Sequence, residues 1–276
     1  MSTSRCVTEI PRITCSLFGA IKAAATLKNT VILVHGPKGC VYHVNYILGL
    51  RGDRHCPVYC TCMDEHDVVF GAEERLREAI EDLDARKNPE ILVVLSCCAS
   101  GIIGEDVQNA CRVARTRSKV VGIDAGGFAD DFTRGYARTL HAIVSELAGP
   151  AERQDPRRVN LLGMLRAGPD LHEIRRLLSL LGLFTGAVIP AGASYDEIRC
   201  IGAASLNIVV CETAGIEAAR YLQERFKTPY IRTVYPIGAE LSRRFLVDIA
   251  SALGISPLPA LVDDPASNHD TARRIR

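Results

Sequence analysis

No apolar run in the 276 residues reaches the roughly 18 that a bilayer span requires, and Met1 to Arg12 has no apolar core of the signal-peptide kind. Both absences predict a cytoplasmic protein with no membrane partner. An excess of one charge is also missing. Thirty-three basic residues face 32 acidic ones for a formal charge of +1, so no overall field recruits nucleic acid. Short internal repeats and low-complexity segments are absent. So is the Gly-x-x-x-x-Gly-Lys-Ser/Thr arrangement around Lys38, which makes a phosphate-binding loop the poorer reading there.

Cysteine, by contrast, is plentiful, with eleven residues. A reducing compartment keeps thiols from forming structural disulfides, so these need another explanation. Cys111 and Cys200 fall inside helical patterns and read as small buried hydrophobes. Cys15, Cys40, Cys56, Cys60, Cys62, Cys97 and Cys98 cluster in the first part of the chain, several beside glycines or at strand ends.

An apolar fraction of 47% fills two cores at this length. Short β-branched runs alternate with amphipathic stretches, the pattern of βα units feeding a mostly parallel sheet. Strands are expected at Val31–His35, Val58–Met63, Ile91–Ser96 and Val120–Asp124, then at Val159–Met164, Gly186–Pro190, Asn207–Cys211 and Tyr230–Val234. Helices are expected at Gly71–Arg86, Asp106–Arg115, Phe132–Leu147, Asp170–Leu181, Ile216–Phe226 and Glu240–Leu253. Asp170 reads as an N-cap with Glu173 completing a capping box, and Gly182 as the residue just past that helix. A polar, proline-containing stretch from Gly149 to Arg158 marks a boundary. The expected class is α/β, with two Rossmann-like domains, residues 1–150 and 151–262, and a disordered tail over 263–276.

Val34-His35-Gly36-Pro37-Lys38-Gly39-Cys40 reads as a strand ending in a tight turn that opens a helix. A thiol at a helix N-terminus has its thiolate stabilised by the helix dipole and by free backbone N–H groups, and open α/β sheets bind ligands at the carboxyl ends of strands. Cys97-Cys98 follows Ile91–Ser96 in the same way, ahead of the small-residue loop containing Gly101, and Cys15 precedes an alanine-rich helix. Three such thiols, far apart in sequence, disfavour a zinc ribbon with its close cysteine pairs and suit an iron–sulfur site assembled by the fold. Spacing alone does not choose the metal.

These motifs, taken in order, resemble the nitrogenase component 1 type oxidoreductases. The likeness rests on Cys15-x3-Gly19-Ala20, on His35-Gly36-Pro37-Lys38-Gly39-Cys40, and on Met63-Asp64-Glu65-His66-Asp67-Val68-Val69-Phe70-Gly71. Cys98-x2-Gly101-Ile102-Ile103-Gly104-Glu105-Asp106 and Leu206-Asn207-Ile208-Val209-Val210-Cys211 complete it. The resemblance covers about Cys15 to Leu253. It implies a catalytic subunit whose Cys15, Cys40 and Cys98 hold a [4Fe–4S]-type cluster, fed by a separate ATP-dependent iron–sulfur reductase, with a tetrapyrrole-like or other small unsaturated substrate. It also implies a cluster at a subunit interface, in a homo- or hetero-oligomer with a related subunit. The family's third domain has no counterpart in this sequence, which makes a scaffold or carrier for cofactor assembly the alternative reading. Cys211 matches the position where the nitrogenase catalytic subunit holds one end of its metal cofactor, although Glu212-Thr213-Ala214-Gly215 departs from the family there.

Other residues are weighed against plainer roles. Cys97 is a possible additional ligand or substitute for its neighbour, and Cys211 a possible metal or substrate residue. His35 and His66 stand at strand ends where an imidazole could relay protons. Gly36, Gly39 and Gly101 are expected to support the site's turns. Cys60 and Cys62 share a strand face and read as packing, with a redox-sensitive or auxiliary ligand role as the alternative. Asp64, Glu65 and Asp67 read as a capped turn, and Gly126-Gly127-Phe128 as part of a cofactor or substrate wall.

Overall fold

The computed structural model describes residues 14–50, 58–128, 130–151 and 153–256. Cys56 and the tail over 263–276 lie outside the described residues. The first half runs α1 (Ser16–Ala24), β1 (Thr30–His35), α2 (Lys38–Leu50), β2 (Val58–Cys60), α3 (Glu65–Phe70), α4 (Glu73–Lys87), β3 (Ile91–Ser96), α5 (Cys98–Ile102), α6 (Val107–Val113), β4 (Lys119–Ile123) and α7 (Phe132–Leu147). The second half runs β5 (Asp155–Met164), α8 (Pro169–Leu180), β6 (Phe184–Pro190), α9 (Tyr195–Arg199), β7 (Ala204–Val209), α10 (Glu212–Phe226), β8 (Tyr230–Arg232) and α11 (Gly238–Leu253).

Each half builds one four-stranded, wholly parallel sheet, in the orders β2-β1-β3-β4 and β6-β5-β7-β8. Every residue of β1 and β3 is buried, as a strand covered on both faces requires. Leu76, Ile80 and Leu83 of α4 with Val107 and Ala110 of α6 cover one face of the first sheet. α1 and α7 cover the other, and Leu140, Ile143 and Val144 of α7 share a buried cluster with Ala214, Ala218 and Leu222 of α10. The layer formed by α7 and α10 therefore lies between the two sheets. Phe245 and Ile249 of α11 close the far face of the second sheet against Ile174 and Leu178 of α8.

The α/β class with mostly parallel sheets is as the sequence pattern requires, with several local differences. α8 is capped by Gly168, with Pro169 inside its first turn, so Asp170 is not its N-cap. Proline's fixed φ suits that first position and sets the start of the helix upstream of the aspartate. β2 stops at Cys60 instead of continuing to Met63, because Cys62 turns to a left-handed φ of 57° and leaves the ladder. β7 ends at Val209, and Cys211 becomes the residue that caps α10. Gly182 does follow α8 with a φ of 71°.

Candidate metal centre

The chain leaves the first sheet in opposite directions after β1 and β3, so the carboxyl ends of these two strands flank the crevice where such sheets bind ligands. His35 and Ser96 are register partners, and the two turns that follow them emerge side by side. Cys40 lies in the first turn of α2, with its N–H donating to Pro37 O at 3.2 Å. Cys98 is the first residue of α5, and Cys15 caps α1. All three thiols thus stand at helix beginnings, where backbone N–H groups lack intrahelical partners. Cys15 is exposed; Cys40 and Cys98 are half-buried.

Two contacts place Cys15. Its backbone bridges to Asp131, and Phe132 N–H donates to Thr14 O at 3.0 Å. α1 and α7 then cross at two glycines: a Cβ on Gly19 would meet Phe132 O at 1.9 Å, and one on Gly135 would meet Ser16 O at 2.0 Å. No side chain fits at either crossing point.

Gly127 joins Cys15 to Cys98. Its N–H donates to Cys98 Sγ at 3.2 Å. A Cβ on Gly127 would stand 2.8 Å from Cys15 Cβ, 3.4 Å from Cys98 Sγ and 3.7 Å from Cys15 Sγ. The turn carrying it is tied to the sheet by Asp124, whose carboxylate accepts from Ser96 Oγ at 2.6 Å and from Gly126 N–H at 3.2 Å.

Cys97 and Cys98 diverge, as neighbours at a strand end must. Cys97 is buried beneath the other turn, its sulfur where a Cβ on Gly36 would come within 2.3 Å. It caps α5, with Ser100 Oγ accepting from Cys97 N–H at 2.9 Å and donating to His35 O at 2.9 Å. A hydrogen bond from the Cys40 thiol, with help from the Ser100 and Ala99 N–H groups, holds the Cys97 thiol below its ordinary range against the opposing effect of burial. The same contact, followed by burial and the neighbouring thiols, pushes Cys40 upward. The contact thus draws the two thiols in opposite directions, Cys97 toward the thiolate and Cys40 toward the thiol.

His35 is fully buried, with Nδ1 3.0 Å from Thr61 Oγ1 and Nε2 3.5 Å from Glu105 Oε2. Burial lowers its pKa, and Glu105 partly offsets that. His66 lies elsewhere, exposed on α3 and packed against Phe70 with ring centroids 4.6 Å apart. Of the three turn glycines, only Gly36 is closely approached. Gly39 and Gly101 face open space and neither has a positive φ. Asp64 and Asp67 form a reciprocal capping box on α3, a helix too short to show a period in sequence.

Cys211 stands apart from these thiols, at a crevice of about 530 Å³ at the carboxyl end of the second sheet. Arg166, Asp170 and Tyr235 also line it, with Tyr235 OH donating to Asp170 Oδ2 at 3.3 Å. This cavity has no clear signal in sequence, because its residues come from four separate segments. Cys111 sits under Gly122, where burial pushes its thiol up to about 12.

Among the described residues, no three His, Cys, Asp or Glu side chains close around one metal ion. Thiols at three separate helix starts, beside a glycine wall whose N–H already donates to sulfur, suit a larger sulfur-rich group. Among the described residues no helix is long and apolar enough to cross a membrane.

The sequence matches the model of the nitrogenase component 1 type oxidoreductases over residues 15–270. It is 31% identical over 258 residues to a subunit of the light-independent protochlorophyllide reductase of Synechococcus sp. (strain JA-3-3Ab), covering 87% of this chain and 50% of that protein. It is 29% identical over 248 residues to the nitrogenase iron-molybdenum cofactor biosynthesis protein NifE of Clostridium pasteurianum, covering 87% of this chain and 54% of that one. The structure of nitrogenase Cp1 at pH 5 superposes with a TM-score of 0.78 at 23% identity, over 95% of this chain and 54% of that one. The chain spans about half the length of the curated relatives it matches.

Proposed function

Because the chain belongs to the nitrogenase component 1 type oxidoreductases, we propose that it is the iron–sulfur-bearing subunit of a nitrogenase-like reductase. In this reading Cys15, Cys40 and Cys98 hold a [4Fe–4S]-type cluster. A separate ATP-dependent iron–sulfur reductase supplies electrons for a low-potential small-molecule or tetrapyrrole-like substrate. The observation that carries the reading is the meeting of Cys15 and Cys98 at Gly127, with Cys40 on the adjoining turn. A bound cluster would supply one-electron chemistry.

The protein's own groups have definable tasks. The first turns of α1, α2 and α5 leave backbone N–H groups without intrahelical partners at the three places where the thiols stand. The Gly127 N–H offers a hydrogen bond to the Cys98 sulfur, a contact that raises the potential of a sulfur-ligated centre by stabilising added negative charge. Ser100 ties the Cys97 turn to His35, which fixes the two cysteine turns relative to each other. His35 is the buried group that could hold a proton behind the site, while His66 could do so only from the surface. Cys97 is a reserve thiol in contact with Cys40, and Cys211 with its crevice is the candidate substrate-side residue. Exposed Tyr42 and Ile102 lie close after Cys40 and Cys98 in sequence, and exposed Phe128 adjoins Gly127, which supports a partner subunit of the same or a related kind covering this end.

The 29% identity to a cofactor biosynthesis protein favours one second reading, a scaffold that carries a metallocluster without turning over substrate. Anaerobic purification with iron and sulfide analysis, followed by EPR of the dithionite-reduced protein, tests both. Iron and sulfide should be present, and Cys15→Ala, Cys40→Ala and Cys98→Ala should each lower them while Cys111→Ala does not. An iron-free protein under these conditions rejects both readings. ATP-dependent substrate reduction with a reductase partner separates the first from the second.

A further inference from the structure

Two cysteines unused by the proposed cluster site stand directly behind it. Cys60 ends β2, and its S–H donates to Gly36 O at 3.1 Å. Cys62 follows two residues later, with its N–H donating to Cys60 Sγ at 3.3 Å and its S–H donating to Cys60 O at 3.5 Å. In a continued strand these side chains would share a face yet stand two residues' rise apart. Instead the left-handed φ of 57° at Cys62, uncommon for a residue with a Cβ, folds its side chain back over Cys60. The Cys62 N–H thus reaches the Cys60 sulfur while the Cys62 sulfur reaches the Cys60 carbonyl, and both side chains are half-buried.

We propose that Cys60 and Cys62 form a reversible disulfide, a modification site for small-molecule disulfides of the glutathione class that is separate from the proposed metal centre.

Reaction begins at Cys62, because Cys60 is already donating to Gly36 O and burial, the largest influence on it, pushes its thiol up to about 11. The Cys62 thiolate attacks one sulfur of the reagent; the reagent's S–S bond breaks and one small thiolate leaves. The Cys60 thiolate then attacks Cys62 Sγ, the new S–S bond forms, and the mixed disulfide breaks to release the second small thiolate. Two protein thiols are oxidised, the reagent is reduced to two thiols, and the two cysteine protons end on those thiols. Gly36 O then loses its S–H donor and keeps Met63 N–H, at 3.0 Å. Because Gly36 begins the turn that leads to Cys40, oxidation of the pair is felt at that turn.

The test incubates the anaerobically purified full chain with oxidised glutathione, blocks remaining thiols by alkylation and maps peptides by mass spectrometry. The expected result is a Cys60–Cys62 link, with the loss of two hydrogens and two alkylatable thiols, reversed by dithiothreitol. Cys60→Ser and Cys62→Ser should each stop at a mixed disulfide on the remaining cysteine. The link should also form in a Cys15→Ala/Cys40→Ala/Cys98→Ala variant, whose result does not depend on the cluster. Both cysteines remaining alkylatable in the wild-type chain, or Cys60 linking to Cys97 or Cys56 instead, overturns the proposal.

Discussion

His35 Nε2 and Glu105 Oε2 face each other at 3.5 Å in the protein interior, each without a hydrogen-bond partner among the described residues. Thr61 Oγ1 accepts from Gly36 N–H at 3.1 Å and has its own proton free for His35 Nδ1, which leaves the ring proton on Nε2, aimed at the carboxylate. Glu105 is anchored from its other oxygen, which accepts from Ala72 N–H at 2.6 Å. Removing the imidazole strands a buried carboxylate. His35→Phe should therefore lower the unfolding free energy by about 3 kcal/mol in urea denaturation. The pH dependence follows from the direction of the shift. Burial, offset by Glu105 and Asp67 and reinforced by Arg75, holds His35 below its ordinary 6.5. In that window the unfolded chain binds a proton that the folded chain does not. Stability is thus full above pH 6.5 and falls as pH drops toward the folded-state value. His35→Gln should flatten that part of the stability curve; an unchanged slope would show that His35 is not its source.

Much of this architecture is legible in the residues themselves. β1 and β3 are aliphatic runs with no polar interruption, so burial on both faces and strand ends at His35 and Ser96 follow directly. The positions of Cys15, Cys40 and Cys98 are also readable, because Cys15 precedes an alanine-rich helix and the other two follow aliphatic strands through turns rich in small residues. What sequence does not show is pairing across turns. Cys60 meets Gly36 across 24 residues, and Glu105 reaches His35 through a loop whose course depends on the whole first sheet. Asp170 misleads as a cap because Pro169 already satisfies the first turn, and α3 is hidden because six residues contain less than two helical turns.

The crossing of α1 and α7 makes a steric prediction. Gly19→Ala places a methyl group where Phe132 O lies 1.9 Å away, so the helices must separate and carry Cys15 with them. A loss of about 2 kcal/mol is expected from such overpacking. Gly39→Ala, with nothing within 4 Å of its Cβ position, should leave the melting temperature nearly unchanged. Thermal unfolding followed by circular dichroism compares the two, and equal melting temperatures would contradict this account of Gly19.

Asp84 ties α4 to the loop before β4. Burial opposes its ionisation, but the Ser118 hydroxyl and the Arg117 and Ser118 N–H groups outweigh that and hold its pKa below the ordinary 3.8. The unfolded chain therefore takes up the proton first as acid is added. The contribution is complete above that ordinary value and disappears as pH falls through the lower, folded-state value. Asp84→Asn turns an amide toward some of these donors and should cost about 2 kcal/mol near neutrality. It should also remove part of the wild-type loss of stability in acid, read from urea midpoints measured on both sides of the transition.

Gly127→Ala separates the shape of the candidate centre from the stability of the fold. Gly127 has an ordinary backbone conformation, so alanine brings no strain of its own. Its methyl group would nevertheless stand 2.8 Å from Cys15 Cβ and 3.4 Å from Cys98 Sγ, inside the space between the two thiols. The near atom is Cys15 Cβ, which moves only with the backbone that bridges Asp131, so the start of α1 must shift at an expected cost of about 1–2 kcal/mol. That shift moves a proposed ligand away from its partners. Iron and acid-labile sulfide per chain should fall several-fold, while the metal-free protein still unfolds cooperatively with only a modestly lower melting temperature. Full iron content in Gly127→Ala would mean that the metal is bound elsewhere than between Cys15 and Cys98.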